Sequence, residues 1–139
     1  MKILGIDPGL ASCGWAVIER DDDGSLSCLG AGVIRTKKET GNKYFVQAMG
    51  FCWGVIGSLF NHESIIQRRP QQIKVDLAGK KTATKQDVEQ AACLAVTDLA
   101  LYLNDLPKTQ RDHAADAAAA VVSSWNDSVV KLAWKFSRS

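Results

Sequence analysis

Short apolar runs punctuated by turn residues open the chain, and three- and four-residue apolar spacing dominates after them. Residues 2–6 form an apolar run stopped by Asp7-Pro8-Gly9, and Gly14 to Glu19 is a second run with β-branched and aromatic members. Asp21-Asp22-Asp23-Gly24 then makes an acidic turn, and Leu26 to Ile34 is a third run, broken by Gly30 and Gly32. Together they predict an antiparallel three-strand meander. From Tyr44 to Phe60 the period changes: Phe45, Met49, Phe51, Cys52, Val55, Ile56 and Leu59 recur at helical spacing. Such a helix serves the core or, through Phe51, Trp53 and Phe60, a dimer face. Glu63 to Arg69 predicts a short strand ended by Pro70, and Gln71 to Leu77 a short helix running into the loop from Ala78 to Thr84. Thr84 with Asp87 three residues on matches a capping box, opening a helix over Val88 to Leu103 that ends before Pro107. The alanine-rich stretch from Arg111 to Trp125 predicts a last helix, and the basic tail 131–139 is expected to fray. The class this pattern defines is α/β, a mixed sheet opening on a meander and flanked by helices.

Composition narrows the picture. With 139 residues, 46% of them hydrophobic and 23% charged, the chain has the length and apolar content of a single domain with its own core, which excludes a disordered chain. A domain of this size buries roughly 70% of its unfolded surface and folds without disulfide or metal staples. Cys13, Cys28, Cys52 and Cys93 contain no C-x-x-C pair, so free thiols in a reducing compartment are expected. Asp7 interrupts the opening run before a signal peptide's apolar core could form, and no stretch approaches the roughly 18 apolar residues of a membrane span. The expectation is a soluble cytoplasmic protein with no membrane partner.

The formal net charge of +2 does not by itself announce a polyanion partner, but the charge is uneven. Arg68, Arg69, Lys74, Lys80, Lys81 and Lys85 stand against the single acid Asp76 between positions 68 and 85. That cluster is either a solvated face or a surface for phosphates. Asp7 ends an apolar strand at a forced turn, where it either caps its own backbone or sits at the sheet's end as part of a site. His113 and Asp116 leave one helix face a turn apart, as a solvated helix start with Asp112 or as joint ligands of an ion. Ala114, Ala115 and Ala117 to Ala120 favour the second reading, because small residues let the helix lie close against the strand carrying Asp7. Oxygen-rich ligands of that kind suit Mg²⁺ or Mn²⁺.

Three segments carry a resemblance. Gly5-Ile6-Asp7-Pro8-Gly9-Leu10 followed by Gly14-Trp15-Ala16-Val17-Ile18, the loop from Ala78 to Val88, and His113-Ala114-Ala115-Asp116-Ala117 resemble the RuvC family of Holliday-junction resolvases, in order and across about residues 1 to 125. The resemblance implies a ribonuclease-H-like fold and a homodimer that nicks a four-way DNA junction with Mg²⁺ or Mn²⁺ in DNA recombination and repair. It implies a bacterial or phage-infected cell as the setting and leaves any helicase partner unknown. Asp7 would be the first metal-binding carboxylate and Asp116 the last, with His113 where relatives carry an acid or a histidine. Lys80, Lys81 and Lys85 would face DNA, with Arg68 and Arg69 as further candidates. Two ions about 4 Å apart would activate water and stabilise the leaving 3′ oxygen.

The chain also departs from that family. After the third strand the family has a helix and a central strand bearing a catalytic Glu, whereas here Ile34 to Thr40 runs almost directly into Gly41-Asn42-Lys43. An internal segment is therefore expected to be missing near positions 40–41, because a vanished central strand leaves its neighbours' backbone groups unpaired. Neither Glu39 nor Glu63 stands in a matching context. The alternative that follows is a relative that binds junctions without cutting them. An actin-like sugar kinase is a third reading, opposed by the length and by the lack of a second phosphate-binding Asp-x-Gly beyond the acidic turn.

Overall fold

The computed structural model describes residues 1–9, 12–35, 54, 58 and 65–138. The expected helix from Tyr44 to Phe60 apart from Gly54 and Ser58, the junction at 40–41, Glu39, Glu63 and Cys52 lie outside them. Strands β1 (Lys2–Pro8), β2 (Ser12–Arg20) and β3 (Leu26–Arg35) form the antiparallel meander that the apolar runs predict, with Gly5 opposite Ala16 and Trp15 opposite Gly32. The acidic segment is the β2–β3 turn: Gly24 takes a left-handed φ of 91° and donates to Asp21 O at 2.9 Å. Asp23 accepts from both the hydroxyl and the amide of Ser25, which holds its carboxyl below the usual range. Its Oδ1 is thus engaged within the turn, as an ordinary turn aspartate's is.

Helix α1 (Pro70–Ala78) begins on Pro70, where a missing N–H costs nothing, and ends on Gly79 at φ 73°. Helix α2 (Lys85–Ala95) carries the expected capping box, with Thr84 and Asp87 bonded reciprocally. The single helix expected from Val88 to Leu103 is divided. Val96–Thr97 forms β4, parallel to Leu26 and Ser27 of β3, Asp98 turns the chain at φ 65°, and α3 (Leu99–Asn104) resumes. Two β-branched residues favour strand, and aspartate is among the residues that tolerate the left-handed region. Val96, Leu99 and Leu103 are all buried by this arrangement. The sheet is therefore mixed, ordered β1-β2-β3-β4.

Helix α4 (Lys108–Ser124) starts directly after Pro107, one turn before the alanine run suggests, and crosses the meander. Ala114, Ala115, Ala117, Ala118 and Val121 pack with Ala16, Ile18 and Cys28 of the sheet. The approach is close enough that a Cβ on Gly14 would overlap the His113 carbonyl, and one on Gly5 the Ala117 carbonyl. Gly14→Ala is accordingly expected to cost about 1–3 kcal/mol, since the obstacle is backbone and cannot swing aside. Urea denaturation at fixed m-value measures it, and the same substitution at Gly79, where nothing stands within 4 Å, separates crowding from glycine's backbone freedom.

Where the basic tail was expected to fray, residues Ser128–Ser137 form a helix. Asp127 caps α5 (Ser128–Ser137) by accepting from Val129 N at 2.9 Å. The Arg20 guanidinium lies 5.1 Å from the ring centroids of both Trp125 and Trp134, fastening α5 to β2 through cation–π contacts. Those aromatic anchors are too distant in sequence for a local propensity argument to weigh. Cys28 and Cys93 carry free thiols, and burial raises the pKa of both. Among the described residues no helix is long and apolar enough to cross a membrane.

Candidate active site

The end of β1 and one face of α4 build the site. Asp7 is the last residue but one of β1, and its side chain leaves the sheet on the same face as Gly5, the face covered by α4. The Gly14–His113 contact sets the height of α4 there, so that His113 Nδ1 stands 3.1 Å from Asp7 Oδ2. Asp116, one turn further along α4, is met by Lys85 Nζ at 3.5 Å from the first turn of α2. The capping box holds that first turn in place. A strand end, a helix start and a helix face thus converge, and they bring together Asp7, His113, Asp116 and Lys85.

The electrostatics are those of crowded acids. Burial pushes the Asp116 carboxyl up, Lys85 pulls it down, and the charges of Asp7 and Asp112 add to the rise. Two carboxylates and an imidazole make a donor set suited to a hard divalent cation, and such an ion would relieve the repulsion that raises Asp116. As placed, the imidazole is engaged by Asp7 and Lys85 by Asp116. Among the described residues no three His, Cys, Asp or Glu side chains close around a common point. The donors therefore fit one cation chemically, with His113 and Lys85 standing on the carboxylates that would receive it.

The basic residues separate into two groups. Lys80 and Lys81 are exposed on the loop between α1 and α2 and Arg69 is exposed before α1, while Lys85 belongs to the acidic site itself. Arg68 faces inward. Its three guanidinium nitrogens meet Ser123 Oγ at 3.0 Å, Asp76 at 2.6 Å and Asp127 at 3.5 Å. The placement gives Arg68 a structural task, joining residues 65–69 to α1, α4 and the cap of α5, and leaves no guanidinium nitrogen for a phosphate. Sequence reasoning missed that task because a local count of charge carries no direction. Asp76 within the basic run was the one signal available.

A mixed sheet opening on a meander, with carboxylates at the end of β1 and on a helix crossing it, defines a ribonuclease-H-like α/β fold. The family profile described as crossover junction endodeoxyribonuclease RuvC matches residues 3–50. The crossover junction endodeoxyribonuclease RuvC of Prochlorococcus marinus (strain MIT 9312) is 31% identical over 163 aligned positions, covering 91% of this chain and 98% of that protein. That of Synechococcus sp. (strain CC9902) is 31% identical over 159 positions, covering 90% and 98%. Among solved structures, Thermus thermophilus RuvC in complex with Holliday junction substrate superposes with a TM-score of 0.70 at 19% identity, over 94% of this chain and 96% of that one. The chain belongs to the RuvC family.

Proposed function

We propose that this protein is a metal-dependent endodeoxyribonuclease that resolves four-way DNA junctions by paired nicking, as a homodimer acting in the cytoplasm on branched DNA. The observation that carries the reading is the convergence of Asp7, His113 and Asp116 at the end of β1, within a chain whose relatives bear the name crossover junction endodeoxyribonuclease. The solved neighbour bound to a Holliday junction substrate supports the choice of DNA. Asp7 and Asp116 would hold Mg²⁺ or Mn²⁺, with His113 beside them and two ions in the complete site. Held there, a metal would supply Lewis-acid activation of the phosphodiester and of the attacking water. The chain's own residues position it: Gly14 seats α4, the capping box seats Lys85, and Lys85 balances Asp116 until a phosphate or cation arrives.

The test is strand cleavage of a synthetic four-way junction beside a linear duplex of matching sequence, with Mg²⁺, with Mn²⁺ and with EDTA. Paired nicks in the junction alone, present with metal and absent with chelator, are the expected result. Junction binding without nicks under either metal would overturn the nuclease reading. Lys80 and Lys81 would contact the backbone of the arms. Replacing both by alanine should weaken junction binding regardless of sequence and flatten the slope of log K against log salt by about 2, as two lost phosphate contacts require. An unchanged slope would move the DNA path away from that loop.

A further inference from the structure

One face of α4 carries more than the candidate site. Asp116, Ala119 and Ser123 follow one another at three- and four-residue spacing, a single stripe about 10 Å long. The unit made of α1, the loop 79–84 and α2 lies on that stripe through three contacts. At one end Lys85 Nζ stands 3.5 Å from Asp116 Oδ2. In the middle Ala119 packs with Ala83 and Val88, and Ile73, Leu77 and Ala78 close around them. At the other end Ser123, fully buried, accepts from Arg68 Nε at 3.0 Å and donates to Asp76 Oδ2 at 2.5 Å. Asp76 also accepts from Arg68 Nη2 at 2.6 Å and from Gln72 Nε2 at 2.7 Å.

The three contacts differ in what they can fix. Alanine packed on alanine is small and without direction, so the middle contact resists separation far more than sliding. The Lys85–Asp116 pair is open to solvent over 70% of the lysine side chain, where an ion pair contributes little. Of the three, the Ser123 node alone is both buried and directional, and a slip of α1 by one residue's rise of about 1.5 Å would break its bonds. We infer that Ser123 is a positioning residue for DNA: by holding Asp76 it fixes the register of α1 on α4, and with it the place where Lys80 and Lys81 leave the end of α1. Leu77, Ala78 and Gly79 separate Asp76 from Lys80, and Gly79 closes the helix by donating to Val75 O at 2.9 Å. The position of the node therefore passes to the lysines through one bonded turn of backbone. Ser123 acts through Asp76 and touches no substrate itself. The inference rests on the reading of Lys80 and Lys81 as phosphate contacts.

The experiment is a double-mutant cycle on the full chain, with affinity for a synthetic four-way junction titrated in EDTA. One arm is Ser123→Ala, the other Lys80→Ala with Lys81→Ala. Independent sites give losses that multiply, whereas the positioning role makes the lysine substitutions cost about fivefold less affinity in the Ser123→Ala background than in wild type. Lost stability cannot produce that coupling, because a smaller folded fraction weakens binding equally with and without the lysines. Val130→Ala, which thins buried packing in α5, is the destabilised control and should show no coupling. Gln72→Ala, at an exposed position that feeds the same carboxylate, keeps the fold where Ser123→Ala does not and should couple with the same sign. Losses that multiply in both backgrounds, in a protein whose lysines matter for binding, overturn the positioning role and leave the nuclease reading standing. Lysine substitutions that cost the wild type nothing overturn the phosphate contacts and the inference together.

Discussion

Junction cleavage is expected to fall about 10³-fold or more when Asp7 is replaced by asparagine, with junction affinity changed little. The substitution keeps the size and the hydrogen-bonding capacity of the side chain and removes one charge. A ligand carboxylate that anchors a divalent cation contributes several kcal/mol of charge stabilisation to the transition state, and each 1.36 kcal/mol is worth about tenfold in rate. On the proposed reading, binding would rest on other groups, Lys80 and Lys81 above all, which stand on a separate loop. The measurement is single-turnover cleavage at saturating protein beside a binding titration in EDTA. A second readout is independent of the metal. Asp7 is one of the charges that raise the Asp116 carboxyl, so in the variant the Asp116 pKa should move down toward the ordinary carboxylate range, visible by carboxyl-carbon NMR. Cleavage within tenfold of wild type would remove Asp7 from the chemistry, whatever happens to Asp116.

Much of this site was readable in the sequence, because its signals are local. The turn Asp7-Pro8-Gly9 marks the end of β1, three-residue spacing puts His113 and Asp116 on one face, and the alanines around them allow the close approach that Gly5 and Gly14 then receive. The capping box was likewise legible, since both partners lie within four residues. What escaped depends on partners far along the chain. Val88 to Leu103 has helical periodicity throughout, yet pairing of Val96 and Thr97 with β3 overrides it, a tertiary demand that no local window contains. The tail 131–139 has a basic composition suited to fraying, and the distant Arg20 and Trp125 explain the helix that runs through it to Ser137. Lys85 was expected on the DNA side and stands on Asp116, 31 residues away.

Arg68→Ala is expected to destabilise the fold by about 3–5 kcal/mol at neutral pH, the range for breaking a buried ion pair from one side. Only 14% of the Arg68 side chain and 10% of Asp76 are exposed, so solvent screens the pair weakly. Burial alone would raise the Asp76 carboxyl, but hydrogen bonds from Ser123, Gln72 and Arg68 and the Arg68 charge together hold it below its usual value. A depressed carboxylate contributes stability that is present above the unfolded-state pKa of about 3.9 and is lost as pH falls through the lower folded-state value. In wild type, then, stability should decline below about pH 4 as this network is protonated. In the variant two of the lowering influences disappear while burial remains, so the Asp76 pKa rises and protonation relieves an uncompensated charge. The difference between the two proteins should accordingly be largest at neutral pH and shrink on acidification, which urea denaturation from pH 7 down to pH 3.5 would show. Because Arg68 also reaches Asp127, the cap of α5, the C-terminal helix should loosen before the meander, seen as faster amide exchange across residues 128–137. A phosphate-binding arginine would behave otherwise: its loss would weaken junction binding and leave stability within about 0.5 kcal/mol of wild type, as surface substitutions do.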